Sequence, residues 1–148
     1  MCNEINNNNC DNCISDILKV ILVLQKNADC DDACLESCDK GFLGCVPSKV
    51  ICNTRPIQLF TACGNGTPWT MPVNKNDTTI RGNSNNSSSV FRVEKLDGCC
   101  ATCRVLERIN DDALDCRDEY RATNSFFTIN LNCVCCIRCL QDTFIDCL

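Results

Sequence analysis

The 148 residues include 18 cysteines and 18 asparagines but no histidine, and 14 basic against 19 acidic side chains leave a net charge of −5. Without histidine, no Ser-His-Asp triad, Cys-His nucleophile pair or two-cysteine, two-histidine zinc finger can be assembled, which argues against a conventional hydrolase. The acidic balance argues against a nucleic-acid partner, and no run approaches the ~20 apolar residues of an inserted membrane span.

Leu, Ile, Val and Phe number 38, enough for one domain with its own core. The cysteines are therefore additions to a foldable chain. Residues 1–11 are polar and asparagine-rich, and read as a flexible arm carrying Cys2 and Cys10, with Cys13 beside it. The opening MCNEINNNNCDNC has neither a basic start nor an uninterrupted apolar stretch. Synthesis in a reducing cytosol without a signal peptide is expected, the thiols binding metal there or being oxidised later.

Residues 12–45 read as a helical, cysteine-rich segment. Asn12 is the N-cap of a helix over about 12–26, along which Ile14, Ile17, Leu18, Ile21, Leu22 and Leu24 recur at helical spacing. Residues 29–40 suggest a second short helix, on which Cys30, Cys34 and Cys38 form a single stripe.

Residues 46–148 read as a β-rich body. Ile57–Ala62, Val90–Leu96 and Phe127–Cys133 are its clearest strands, and 134–140 continue the last or pair beside it. Cys100–Ile109 is ambiguous, since Val105, Leu106 and Ile109 fit a helix nearly as well. The polar stretch 74–89 is an exposed loop. The expected fold is mainly β: an antiparallel β-sandwich or partial barrel preceded by one or two short N-terminal helices.

Four C-x-x-C pairs occur, at Cys10/Cys13, Cys100/Cys103, Cys133/Cys136 and Cys136/Cys139. Two such pairs could hold a structural zinc, which would make the chain a scaffold module with an all-cysteine site, but the separation of the pairs exceeds the usual zinc-ribbon interval. CATC at 100–103 is the contender for a thioredoxin-like site, which needs a strand before it and a helix after. Six Phe and one Trp indicate a packed body unlike a metallothionein. Thiols crowd the termini, where they are badly placed to staple a core and well placed to reach a neighbour. Cys2, Cys10, Cys13, Cys30, Cys34, Cys38 and Cys147 are the candidates for intermolecular disulfides. No catalytic residue, metal site or cofactor is expected.

Asn53–Pro56 (NTRP) leading into IQLF, then Val90–Glu94 (VFRVE), Cys100-Ala101 with Arg104-Val105-Leu106, and the tail Asn132–Asp142 (NCVCCIRCLQD) occur in an ordered set. Over roughly residues 50–145 that set resembles the cysteine-rich spore coat proteins Y and Z and the exosporium protein Y of endospore-forming bacteria. In that resemblance Cys100, Cys116, Cys133, Cys135 and Cys139 fall on family cysteine positions, whereas Cys99, Cys103 and Cys136 are additional. The resemblance implies a structural, non-enzymatic protein of the outer coat, crust or exosporium. It implies self-association into hexameric rings that tile into two-dimensional sheets fixed by disulfides, with other coat or exosporium proteins as further partners. It also implies synthesis in the mother-cell cytoplasm and oxidation after deposition on the spore.

Overall fold

The computed structural model describes residues 10–28, 52–78, 86–109, 120–145 and 148. Asn12 opens helix α1 (Cys13–Ala28) as expected. Its Oδ1 accepts the Ser15 amide at 2.7 Å, taking up one of the donors that a helix start leaves without a partner. Ile14, Leu18 and Ile21 recur at 4-3 spacing and are buried against the sheet. Gln25 continues that face. Its Nε2 donates to the Val93 carbonyl at 2.8 Å and its Oε1 accepts the Arg55 amide at 3.2 Å, so the buried amide is satisfied. Ile17 and Leu24 do not share the buried stripe; they are 39% and 46% exposed. One residue of offset turns a side chain about 100° around a helix, so α1 carries two apolar seams rather than one. The second helix expected over 29–40 lies outside the described residues.

In chain order the strands are β1 (Ile57–Thr61), β2 (Met71–Pro72), β3 (Ser87–Ser88), β4 (Phe91–Asp97), β5 (Cys100–Arg108), β6 (Tyr120–Asn130) and β7 (Val134–Cys139). Five of them make one antiparallel sheet in the order β6-β5-β4-β1-β7, and β2 pairs with β3 as a small ribbon. The fold is mainly β, an open antiparallel sheet behind an N-terminal helix. Cys100–Arg108 is a strand: Val105 and Leu106 look helical in sequence because both are fully buried on successive positions. Val105 belongs to the main core and Leu106 to a second cluster with Tyr120 and Ile145, so both faces of β5 are covered.

Three expectations are corrected. The strand placed at Phe127–Cys133 starts at Tyr120 and stops at Asn130, where Asn130 Oδ1 accepts the Asn132 amide and caps a 3-10 turn over Leu131–Cys133. Residues 134–139 neither continue that strand nor pair beside it; they pair with β1 at the far side of the sheet. The end of the polar loop, Ser87–Ser88, is the second strand of the ribbon.

The β6–β7 connection reveals the sheet's shape. Asn130 lies level with Cys100 and Asp97 at one end of the β4–β5–β6 meander, whereas Val134 lies level with Thr61, beyond the Ile57–Phe91 rung. Four Cα steps reach at most about 14 Å, while edges separated by four inter-strand spacings would stand about 19 Å apart in a flat sheet. The sheet is therefore coiled into a partial barrel, as the strand pattern suggested, and no ladder joins β6 to β7 to close it. Phe91, Val93, Ala101, Cys103, Val105, Ile57 and Leu59 line the interior, and the buried seam of α1 covers it.

Candidate cross-linking thiols

The β4–β5 hairpin turns on Gly98 and Cys99, between the paired residues Asp97 and Cys100. Gly98 has φ +56°, the left-handed conformation that a two-residue hairpin of the II′ type needs at its first position. The turn presents Cys99 at the hairpin tip, where the chain enters α1, and Cys99 is bonded to Cys10 with 4.8 Å between their Cα atoms. Asn12 Nδ2 donates to the Leu131 carbonyl, and the Leu131 amide donates to the Cys99 carbonyl at 2.7 Å. The start of α1, the hairpin tip and the turn after β6 thus meet at one place. Cys10, expected on the mobile arm and available to a neighbouring molecule, is instead 5% exposed and held inside the fold. Cys133, a family-matching position, is also disulfide-bonded.

Among the described residues six other thiols are exposed: Cys13 at the start of α1, Cys63 in the 3-10 turn after β1, Cys100 on β5, and Cys135, Cys136 and Cys139 on β7. A bulge sits between Phe60 and Thr61 and their partners on β7, so both Val134 and Ile137 face the core side although they are three positions apart. Cys135 occupies the extra position, its Sγ donating to the Phe60 carbonyl at 3.4 Å. Cys103 is buried on β5, where desolvation, and then the negative charge of Glu94, push its thiol up to about 12. Cys52 is shifted upward by burial and by Asp142. Asp142 is itself held below the ordinary carboxylate range by its hydrogen bond to Arg55. Cys2, Cys30, Cys34, Cys38, Cys116 and Cys147 lie outside the described residues.

The C-x-x-C pairs are separated by the geometry. An offset of three along a strand puts side chains on opposite faces. Cys100 is exposed where Cys103 is buried, and CATC lies wholly within β5 rather than between a strand and a helix, which removes the thioredoxin-like reading. Cys136 pairs with Phe60 and Cys139 with Ile57, on alternate faces of the sheet. Cys10 and Cys133 are already oxidised. Among the described residues no three Cys, His, Asp or Glu side chains are placed to share a metal ion.

The polar residues of the family-like motifs form an architectural network. Arg92, 4% exposed, donates from Nε to Thr54 Oγ1 at 2.9 Å, from one terminal nitrogen to the Asn53 carbonyl at 3.2 Å, and from the other to Glu94 at 2.7 Å. Glu94 also pairs with Arg104 at 3.2 Å. Asn53 grips the backbone of Ile145 at both ends, its Nδ2 donating to the carbonyl and its Oδ1 accepting the amide, each at 2.9 Å. Thr54 and Thr143 bridge beside it. NTRP and VFRVE therefore fasten the C-terminal segment over the sheet's outer face. Neither this network nor the Cys10–Cys99 bridge was singled out in the sequence; the Asp-Gly before Cys99 was the available signal for the hairpin tip.

Among the described residues no helix is long and apolar enough to cross a membrane. The family model described as spore coat protein Z matches residues 1–142. No curated protein and no solved structure matches the chain.

Proposed function

Since the chain belongs to the spore coat protein Z family, and is thus a structural protein of the spore coat at the spore surface, we propose that it is a self-assembling tile whose exposed thiols fix a two-dimensional sheet. The observation that carries this reading is the spread, among the described residues, of six exposed thiols over α1, the turn after β1, β5 and β7, while the Cys10–Cys99 bridge stays within the fold. Among the described residues these thiols are not grouped to share an ion, but exposed thiols can each meet a thiol of another copy. Two of them lose two protons and two electrons to dioxygen or to a low-molecular-weight disulfide, and one S–S bond forms. A head-to-tail interface that closes under rotation makes rings, and a second contact tiles them. In this reading hexameric rings build an outer coat, crust or exosporium layer, joined by other coat proteins, and no catalytic site is needed.

The test is electron microscopy of the purified protein before and after exposure to air, with non-reducing and reducing gels run in parallel. Ordered sheets, and high-mass ladders that collapse to about the 16.4 kDa chain with reductant, are expected. A monomer whose thiols stay reduced in air, or one unfolded by a chelator, would replace this reading with the metal-binding scaffold.

A further inference from the structure

The second seam of α1 is left largely open to solvent. Cys13, Ile17, Val20 and Leu24 follow one another at 4-3-4 spacing, all exposed, with Ile17 39%, Val20 58% and Leu24 46% accessible, and Val23 beside them at 57%. Positions facing solvent on a helix are ordinarily polar, and single exposed aliphatics need no explanation, but an aligned row of them marks a contact surface. The 4-3-4 spacing is that of a coiled-coil seam, about three turns in length, with the thiol at its first position.

We infer that this face of α1 packs in parallel against the same face of a second copy, with Cys13 closing the pair as a Cys13–Cys13 disulfide. The inference rests on the self-assembly reading above and names one of its contacts. The thiol decides the orientation. A two-fold axis running along paired parallel helices sets each seam residue opposite its own counterpart, so Cys13 meets Cys13. Antiparallel helices would set Cys13 beside the Leu24 end, where the seam offers no thiol. Cys13 is also held in place: the Cys10–Cys99 bond anchors the chain three residues earlier, and Asn12 is fixed at both ends, to Ser15 and to Leu131.

The size of the seam explains why a covalent closure would sit there. Half-exposed aliphatics in this number bring on the order of 300 Å² per copy, against about 800 Å² per partner in a stable interface. Reduced, the contact is weak and reversible, which lets misplaced tiles leave; oxidised by dioxygen or a small disulfide, with loss of two protons and two electrons, it is locked. A two-fold contact cannot itself close a ring larger than a dimer, so it serves as the ring-to-ring link. Where all tiles present the same face of the sheet, the two-fold axes relating them stand perpendicular to the layer, and α1 then stands upright in it.

The experiment uses the full chain, with Val20→Asp and Cys13→Ser as variants, and circular dichroism to confirm folding. After oxidation in air, non-reduced peptide mapping should recover a Cys13–Cys13 peptide from the wild type and at least ten-fold less from Val20→Asp, although that variant keeps Cys13. In reductant, sedimentation should show concentration-dependent self-association of wild type and Cys13→Ser, weakened ten-fold or more in Val20→Asp. If Val20→Asp fails to fold, Leu24→Lys carries the same comparison. Equal Cys13–Cys13 yields in wild type and Val20→Asp, or Cys13 bonded to a different cysteine, overturn the helix pairing while sheets seen by microscopy keep the self-assembly reading. A wild type that forms neither oligomers nor sheets overturns both.

Discussion

Arg92 and Cys103 lie on neighbouring strands, and the sheet treats their charge in opposite ways. A guanidinium cannot shed its proton, so Arg92 is buried only because Thr54, Asn53 and Glu94 occupy its donors. Cys103 has the cheaper option and stays neutral, its pKa raised to about 12 by desolvation and by Glu94. The folded state thus holds this proton more tightly than the unfolded chain does. Its contribution to stability is complete below the ordinary thiol value of 9.0 and is lost as pH rises toward 12. The nucleophile is the thiolate, so Cys103 should be inert in the native protein. Treatment with iodoacetamide at pH 8 should modify Cys13, Cys63, Cys100, Cys135, Cys136 and Cys139 within minutes and leave Cys103 unmodified until denaturant is added. Native labelling of Cys103 at the rate of Cys100 would show that β5 opens readily, contrary to its burial.

At the scale of elements, α1 tests how far two similar seams differ in what they do. Leu18 is fully buried and Val20, two residues on, is 58% exposed. Leu18→Ala should cost about 2–5 kcal/mol of unfolding free energy, and Val20→Ala less than about 0.5 kcal/mol, by urea denaturation of dilute protein in reductant. Similar costs for the two would mean that the helix docks by a different face. The helix itself was legible in the sequence from Asn12 and the 3.6-residue period. Which seam is buried was not, because both are apolar; what separates them is Gln25, whose amide finds the Val93 carbonyl and the Arg55 amide only in the assembled fold. The strands follow the same logic. β1 and β4 were readable within a residue or two because Gln58, Arg92 and Glu94 alternate with apolar residues, while β5 was ambiguous because both of its faces carry buried apolar side chains. The first half of β6, YRATNSF, is largely polar and was invisible to a pattern that seeks alternation.

For the whole molecule, the question is whether disulfides make the fold or are added to it. The Cys10–Cys99 pairing could not be read from sequence, since 89 residues separate the two and only the coiled sheet brings the hairpin tip to the start of α1. The buried core that this bridge joins is built mainly from apolar side chains, from Ile14 and Leu18 to Phe91, Val93 and Leu131. Chain entropy assigns a loop of this length about 4–5 kcal/mol, acting on the unfolded chain. The double variant Cys10→Ser/Cys99→Ser should therefore still fold and unfold cooperatively, but under oxidising conditions it should be up to about 4 kcal/mol less stable than the wild type. In reductant the wild type loses the bridge as well, so most of that gap should vanish. What then remains is the smaller cost of placing serine where Cys10 packs, about 1 kcal/mol. Urea titrations of both proteins with and without reductant measure the two gaps. A gap of equal size in both conditions would assign the stabilisation to Cys10 packing rather than to the bond, and a variant that never folds would make the bridge a condition of the fold.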